Sequence, residues 1–259
     1  MKYNKFNWKE ANVNLDSLWI IGPRAKGGKR ENNYHGNFAP QIPDDLIRRF
    51  TDPDEVVLDM FMGSGTVLYE CEQLKRRYIG FDINDEIIDY VKSKMLDSDH
   101  SQFRIFNRDI RSEQAKVDIS TALSEFGKKK VDIIFSHPPY MDIVKFSDKS
   151  EDLSRIGDLD EFRREFTKSV SSVWPYLKKG GHFALVIGDV YKESAVIPLG
   201  FYLMDEIIKN FKCKMKGILI KDMVGNRGKI GMEALARFRA LNGGYYIFKH
   251  EYVFIFRKM

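Results

Sequence analysis

The sequence has 259 residues, of which 43% are apolar, and this suits one α/β domain with a sizeable core. No apolar run is long enough to cross a membrane, and the first residues lack the apolar stretch of a signal peptide, so we expect a cytoplasmic protein. Cys71 and Cys213 form neither a CxxC pair nor a metal-ligand spacing, and we therefore expect no disulfide and no metal site.

Basic residues are concentrated at the two ends of the chain, although the formal net charge is only +5. Residues 1–31 carry seven Lys or Arg against three Asp or Glu, residues 212–259 carry eleven against three, and the stretch between them carries 24 against 31. A basic N-terminal arm at residues 1–31 suits a polyanionic partner such as nucleic acid. An uneven solvated surface would give the same pattern, and charge alone does not choose between the two interpretations.

Short apolar runs alternate with helical patterns, which predicts one α/β domain over residues 1–259 with a doubly wound, mostly parallel sheet of seven strands. The predicted strands are Val56–Phe61, Tyr78–Ile83, Phe103–Asn107, Val131–Ser136, Phe183–Gly188, Met215–Ile220 and Tyr245–Phe256. The predicted helices are Thr66–Leu74, Glu86–Leu96, Ser112–Phe126, Leu159–Leu177 and Leu199–Asn210. The segments 141–165 and 221–245 contain long irregular stretches, which in a compact domain are usually functional.

The first two predicted strands end in residues that are typical of an adenosine-binding site. The first strand runs into the segment Asp59–Thr66, whose two glycines, Gly63 and Gly65, would let the backbone turn tightly and approach a ligand. The second strand runs through Asp82, which can accept hydrogen bonds from two ribose hydroxyls.

The third predicted strand is followed by Asp109 and Ile110. Asp109 could accept a hydrogen bond from an adenine amino group, and Ile110 could pack on the ring. A lone glycine turn is as often structural as functional, but three such sites at consecutive strand ends strengthen the prediction. The turn lacks the full GxGxxG pattern and a GK[ST] sequence, which favours another adenosine ligand over NAD or a nucleoside triphosphate.

The fourth predicted strand, Val131–Ser136, is followed by His137-Pro138-Pro139-Tyr140. Two prolines after an apolar strand make a rigid, extended elbow. A polar side chain and the Pro138 carbonyl could accept the two hydrogens of an –NH2 group, while Tyr140 stacks on the base that carries it. Positioning would then supply most of the rate of methyl transfer to that nitrogen. A structural Pro-Pro turn with a surface tyrosine is the alternative.

These two motifs together resemble those of the amino-group DNA methyltransferases, which modify adenine N6 or cytosine N4. In that family one strand ends in Phe-x-Gly-x-Gly, as at Phe61–Gly65, and another in Asp/Asn/Ser-Pro-Pro-aromatic, similar to His137–Tyr140. The blocks Tyr34–Pro43, Trp174–Gly181 and His250–Lys258 are also similar to family elements, so the resemblance covers roughly residues 17–258.

The resemblance implies the S-adenosylmethionine-dependent methyltransferase fold, S-adenosyl-L-methionine as the cofactor, DNA as the partner and base flipping as the route to the target. It assigns the catalytic elbow to His137, Pro138, Pro139 and Tyr140. It assigns cofactor binding to His35, Asn37, Phe38, Asp59, Phe61, Gly63, Gly65, Thr66, Asp82, Asp109 and Ile110. Enzymes of this type also allow two further partners, a cognate restriction endonuclease and a second copy of the chain in a homodimer.

The chain departs from the common family pattern in two ways. His137 stands where Asp, Asn or Ser is usual, although a neutral imidazole can still accept one hydrogen bond. A branch of the family with His-Pro-Pro-Tyr followed by Asp-Ile-x-Lys-Phe-Ser is similar at Asp142–Ser147. The substitution removes the usual cue for the base, and adenine-N6 is favoured over cytosine-N4 by a small margin. The cofactor motif also precedes the catalytic one, as in a circularly rearranged family member.

Recognition of the target sequence would fall to the segments 141–165 and 221–245, because little of the chain is left for a separate domain. Basic residues in these segments suit phosphate contacts or base-edge contacts. The candidates are Lys145, Arg227, Lys229, Arg237 and Arg239. A solvated loop is the alternative for both segments.

Four other functions are alternatives from the sequence. An RNA methyltransferase of the guanine-N2 type, or a protein methyltransferase, would share the Pro-Pro-Tyr elbow, but the RNA enzymes usually carry a separate RNA-binding domain. A non-catalytic nucleic-acid-binding subunit with a methyltransferase fold would be expected to have a damaged turn or elbow, and both are intact. A dehydrogenase is disfavoured by the incomplete glycine pattern.

Overall fold

The computed structural model describes residues 8–30, 39–223 and 233–259. The strands of the described chain are β1 (Leu18–Trp19), β2 (Val56–Asp59), β3 (Arg77–Asp82), β4 (Phe103–Asn107), β5 (Val131–Ser136), β6 (Leu177–Ile187), β7 (Val190–Lys192), β8 (Ala195–Ile197), β9 (Cys213–Asp222) and β10 (His250–Lys258). Its α-helices are α1 (Gln41–Phe50), α2 (Thr66–Gln73), α3 (Asp85–Lys94), α4 (Glu113–Glu125), α5 (Leu159–Val173), α6 (Leu199–Asn210) and α7 (Glu233–Gly243). None of these helices has the length and apolar character needed to span a membrane.

Eight strands form one sheet in the order β1-β9-β10-β6-β5-β2-β3-β4, and β7 pairs with β8 in a separate hairpin. β10 runs antiparallel to both of its neighbours, while the other pairings of the large sheet are parallel. Every residue of β2 and β5 is buried, as expected for parallel strands that are covered on both faces.

Helices cover both faces of this sheet and bury two apolar clusters. On one face α1, α2 and α3 contribute side chains that include Leu46, Leu68 and Ile88. On the other face α4, α5 and α6 contribute a second set that includes Phe166 and Leu203. The sheet is therefore doubly wound, and its strand ends are left free to form a site.

The direction of winding reverses between β2 and β5, which lie side by side in the sheet. From β2 the sheet continues through β3 and β4, and from β5 it continues the other way through β6. A hydrogen bond of 3.0 Å from the Met60 amide to the Phe135 carbonyl joins the two strands where β2 ends. Ligands of doubly wound folds bind beyond the carboxyl ends of the strands at such a reversal. The glycine turn after β2 and the elbow after β5 are therefore neighbours.

The predicted fold class is confirmed, but the sheet has eight strands rather than the seven expected. The additional strand, β1, has two residues and pairs with β9 at the edge of the sheet. Trp19 in β1 is only 2% exposed, so burial of one large aromatic side chain anchors this short strand. Two residues cannot produce a periodic pattern, which is why β1 could not be predicted from the sequence.

Several elements after the elbow differ from the prediction. The helix predicted over Leu159–Leu177 ends at Val173, because Pro175 has no amide hydrogen with which to continue it. β6 then begins at Leu177, six residues before the predicted strand start. The hairpin of β7 and β8 was not predicted at all, since each of its strands has only three residues.

The expectation of an irregular loop over residues 221–245 is wrong for much of that segment. Residues 221 and 222 belong to β9, and Glu233–Gly243 form α7. The glutamate, alanine, leucine and arginine residues of α7 are strong helix formers, and they outweigh the glycines at its end. The final strand also begins later than predicted, at His250 rather than Tyr245.

Candidate functional site

The glycine turn after β2 has the backbone conformation that only glycine adopts easily. Gly63 and Gly65 have φ angles of +51° and +83°, in the left-handed region. A Cβ on Gly65 would lie 3.0 Å from the Tyr69 ring and 3.2 Å from Val91, so a larger residue would push on both α2 and α3. Thr66 is buried at the first position of α2. The two glycines therefore allow a tight turn at the carboxyl end of β2.

Asp82 joins the glycine turn to the end of β3. Its Oδ2 accepts a hydrogen bond from the Gly63 amide at 2.7 Å, and its Oδ1 accepts one from the Asn84 amide at 2.9 Å. Burial raises the pKa of Asp82 to about 6, although these backbone amides favour the ionised form. Carboxylate oxygens have two lone pairs each, so Asp82 retains the capacity to accept hydrogen bonds from ligand hydroxyls.

Asp59 lies at the end of β2 and is 2% exposed. The Tyr78 hydroxyl donates a hydrogen bond to it at 3.2 Å, and the Phe61 amide donates another at 3.4 Å. Burial raises the pKa of Asp59 to about 7, and the charge of Asp82 acts in the same direction. Asp59 therefore supports the start of the turn, while Phe61 is partly buried against the apolar cluster beside it.

Asp109, which follows β4, is already paired with a cation. Arg111 Nε donates to its two carboxylate oxygens at 3.0 and 3.1 Å, and the Arg111 amide donates to Oδ1 at 2.9 Å. Arg111 also contacts Glu165 of α5 at 2.6 Å. Ile110 is 3% exposed and belongs to the apolar core. An adenine amino group would therefore share Asp109 with Arg111, which was not predicted from the sequence although it lies only two residues away.

The elbow, residues 137–140, begins where β5 ends and is buried or partly buried. Burial lowers the pKa of His137 to about 4. The negative charge of Glu251 opposes this shift, and the positive charge of Lys221 adds to it. The imidazole is therefore neutral at physiological pH, the state in which one ring nitrogen can accept a hydrogen bond.

Met141 follows the elbow with a φ angle of +52° and is fully buried. A side chain other than glycine rarely adopts this conformation, which costs about 1–3 kcal/mol and persists only where the surroundings enforce it. The chain direction just after Tyr140 is therefore set by packing of Met141 into the core.

Tyr140 is hydrogen-bonded to a buried ion pair on β9 and β10. Its hydroxyl donates to Glu251 Oε1 at 3.0 Å, and Lys221 Nζ donates to Glu251 Oε2 at 2.7 Å. The Tyr140 ring stands edge-on to His137, with 5.9 Å between the ring centroids. Neither charged residue was predicted from the sequence. The available signal was the two-residue alternation of β9, which places Lys221 on the same face as the buried Leu219, whereas β10 is buried on both faces and shows no such alternation.

The segment after the elbow folds back across the ends of β3 and β4. Asn84 Nδ2 donates to the Phe146 carbonyl at 2.6 Å, and Lys149 Nζ donates to the Ile83 carbonyl at 2.8 Å. This part of the predicted target-recognition segment 141–165 therefore borders the end of the sheet where Asp82 lies. Its last residues belong to α5.

Three of the predicted DNA contacts are exposed on the surface. Lys145 lies in the segment after the elbow, while Arg237 and Arg239 lie on α7 and not on a loop. The remaining predicted site residues lie outside the described residues, namely the DNA candidates Arg227 and Lys229 and the cofactor candidates His35, Asn37 and Phe38.

The basic N-terminal arm is partly engaged within the fold. Lys29 pairs with Glu72 of α2 at 2.7 Å, and Arg30 pairs with Glu70 of α2 at 2.6 Å. The Glu70 side chain is fully buried, and a buried carboxylate requires a cation partner. In the described part of the arm these two cations therefore stabilise α2, which leaves them less suited to contacts with phosphate.

A family model of DNA methylases and curated type II methyltransferases are similar to part of this chain in sequence. The family model N6_N4_Mtase, described as DNA methylase, matches residues 1–93. The type II methyltransferase M.Cfr9I of Citrobacter freundii is 30% identical over 104 residues, which is 39% of this chain and 35% of that protein. The chain thus spans about a third of the length of this curated relative.

Solved structures with the same fold match most of the chain. TrmN from Thermus thermophilus gives a TM-score of 0.55 at 17% identity, over 87% of this chain and 50% of that one. A methyltransferase from Pyrococcus furiosus gives a TM-score of 0.50 at 16% identity, over 88% of this chain and 87% of that one. At such low identity the likeness supports the methyltransferase fold alone.

The raised pKa values of Asp59 and Asp82, to about 7 and about 6, predict how stability depends on pH. The folded chain holds these protons more tightly than the unfolded chain does, so the stabilising contribution is full at acid pH and is lost as the pH rises through the folded pKa values. Asp59→Asn removes one of these titrations. The stability of this variant relative to wild type should therefore improve between about pH 5 and about pH 8, as measured by urea unfolding.

Asp89→Asn is the matched control for this experiment, because Asp89 is exposed on α3 and the substitution changes the same charge. Its stability relative to wild type should stay constant over the same range. If the difference in stability between Asp59→Asn and wild type were also independent of pH, the raised pKa of Asp59 would be contradicted.

Proposed function

We propose, on the premise that this chain belongs to the amino-group DNA methyltransferases, that it transfers a methyl group from S-adenosylmethionine to an exocyclic amino group of a DNA base. One observation carries the proposal. A glycine turn tied to a carboxylate, and an elbow that joins a neutral imidazole to an aromatic ring, lie side by side where the sheet reverses. The matching family model and the type II relative support DNA as the substrate.

The residues at the glycine turn fit S-adenosylmethionine, which when bound would supply a methyl group on a positively charged sulfur. Gly63 and Gly65 adopt φ angles in the left-handed region, and the tight turn that results would let the backbone approach a ligand closely. The Ser64 hydroxyl is buried without a hydrogen-bond partner among the described residues, which is a feature of a site that a polar ligand completes. Asp82 would accept the ribose hydroxyls, and Asp109 with Ile110 would hold the adenine.

The elbow fits an amino group on an aromatic base. The Pro138 carbonyl and the neutral His137 imidazole would each accept one hydrogen of the –NH2 group, and this would direct the nitrogen lone pair toward the methyl donor. Tyr140 would stack on the base. A base inside a duplex cannot reach a partly buried elbow, so the reaction would require base flipping.

Adenine N6 and cytosine N4 both present such an amino group, and of the two we propose adenine-N6 as the product. Lys145, Arg237 and Arg239 are exposed and would contact the DNA backbone or base edges, together with Arg227 and Lys229. We further propose two protein partners, a cognate restriction endonuclease and a second copy of the chain in a homodimer.

Asp82→Asn should weaken the binding of S-adenosylhomocysteine by about 10- to 100-fold, because hydrogen bonds to a charged group contribute roughly 1.5–3 kcal/mol. The affinity of the wild type should also fall as the pH is lowered through about 6, where Asp82 becomes protonated. Calorimetry measures both effects. Asp89→Asn, on exposed α3 surface, should bind like wild type. Unchanged affinity in Asp82→Asn would remove Asp82 from the cofactor site.

His137→Ala and Tyr140→Ala should each slow methyl transfer to DNA by about 100-fold or more, since each substitution removes a group that positions the amino group. Both variants should still bind S-adenosylhomocysteine with wild-type affinity, because the elbow would contact the base and not the adenosine. His100→Ala and Tyr246→Ala are matched controls at exposed positions and should be fully active. Full activity in the two elbow variants would exclude the elbow from the reaction.

The double variant Arg237→Ala, Arg239→Ala should bind DNA more weakly while S-adenosylhomocysteine affinity stays unchanged. If both residues contact phosphates, the slope of log affinity against log salt should decrease by roughly 2. Lys92→Ala with Lys129→Ala removes the same charge from exposed positions at the opposite end of the sheet and is the control. An equal loss of affinity in the two double variants would mean that only net charge matters.

A further inference from the structure

We propose that the buried pair of Lys221 and Glu251 positions the Tyr140 ring for the target base. This inference rests on the proposed function and goes beyond it, because the two residues belong to neither motif. They lie on β9 and β10, which β6 separates from the elbow strand β5. Glu251 would act through Tyr140 and is therefore a positioning residue that does not itself touch the substrate.

The two charges face each other across antiparallel strands. Glu251 and Lys221 are register partners in the β10–β9 pairing, and their charged atoms are 2.7 Å apart. Their side chains are only 15% and 10% exposed. The other oxygen of Glu251 accepts the Tyr140 hydroxyl at 3.0 Å. The carboxylate therefore uses one oxygen for the cation and the other for the phenol.

Gly188, which follows β6, leaves room for this arrangement. A Cβ at Gly188 would lie 3.1 Å from Cε2 of Tyr140 and 3.5 Å from Cγ of Glu251. The Tyr140 ring is thus held at its hydroxyl by Glu251 of β10, while the two prolines of the elbow restrict the backbone that precedes it.

Stability alone gives little reason for an ion pair at this place. The neighbouring positions Leu219, Val253 and Ile255 on the same strands are apolar and buried. Taking two charges out of water costs more than their attraction returns unless the geometry is excellent, and apolar residues of similar volume often stabilise such a site as well or better. A buried pair that also binds the hydroxyl of the elbow tyrosine therefore indicates a constraint on that ring.

The tether would fix the plane of the Tyr140 ring on which the target base stacks. A tethered ring would receive the flipped base in one orientation, with its amino group aligned on the methyl donor. Without the tether the base would still enter and stack, but its amino group would sample more orientations. The methyl-transfer step should therefore slow more than DNA binding weakens.

A double-mutant cycle of Glu251→Gln and Tyr140→Phe tests this role through the single-turnover rate at saturating DNA and S-adenosylmethionine. Glu251→Gln should lower the rate by about 10- to 100-fold, a loss expected from imprecise positioning. Its affinities for DNA and for S-adenosylhomocysteine should remain close to wild type. In the Tyr140→Phe background the same substitution should have little further effect, because the tether is already absent.

Tyr252→Phe is the matched control for loss of a tyrosine hydroxyl. Tyr252 also lies on β10, and its hydroxyl donates to the carboxylate of Asp189 at 3.2 Å without contact to the elbow. Its methyl-transfer rate should stay close to wild type. A loss in Tyr252→Phe as large as that in Glu251→Gln would indicate a general effect of strand packing and would overturn the specific role of Glu251.

Fluorine NMR of fluorotyrosine-labelled protein reports on the tether without any turnover. The resonance that disappears in Tyr140→Phe belongs to Tyr140, and it should move in Glu251→Gln but stay in place in Tyr252→Phe. An unmoved resonance, a wild-type rate in Glu251→Gln, or independent losses in the cycle would each overturn the positioning role. Absence of methyl transfer to DNA by the wild type would instead overturn the proposed function, and the NMR measurement distinguishes the two failures.

Discussion

The parallel pairing of β2 with β5 is the constraint on which the site depends. Asp59 and Phe135 are register partners near the ends of these strands, so the glycine turn and the elbow leave the sheet at the same level. β3 adds Asp82 on one side of this pair, while β6 and β10 bring Gly188 and Glu251 from the other. Residues that are far apart in the sequence therefore meet at the carboxyl ends of the parallel strands, where doubly wound folds bind their ligands.

Burial at this edge sets the protonation states on which the proposed chemistry depends. It lowers the pKa of His137 to about 4 and so provides a neutral acceptor, while it raises the pKa values of Asp59 and Asp82 to about 7 and about 6. Burial would also raise the pKa of Glu251, but the charge of Lys221 opposes it and the net shift is downward. The site therefore combines a neutral imidazole with a carboxylate that stays ionised, and Lys221 and the Tyr140 hydroxyl both favour the ionised carboxylate.

Local patterns were sufficient to predict most of the sheet and both motifs. β5 coincides with the predicted Val131–Ser136, because a short apolar run between turn residues has few alternatives in an α/β sequence. β1 and the β7–β8 hairpin were missed because strands of two or three residues carry no periodicity. The Lys221–Glu251 pair was missed for a different reason. The pair forms only because β9 and β10 align in this register and bring Glu251 to the Tyr140 hydroxyl, and such tertiary contacts cannot be read from local sequence patterns.

Whether the chain methylates an amino group of a DNA base can be measured directly with S-adenosylmethionine that carries a deuterated methyl group. The chain is incubated with this donor and with duplex DNA, RNA and protein in parallel, and the nucleic acids are digested to nucleosides and analysed by mass spectrometry. We expect deuterated N6-methyladenine in the DNA, whereas N4-methylcytosine would change only the identity of the base. Label in guanine of RNA, label in protein, or no label in any polymer would contradict the proposed function.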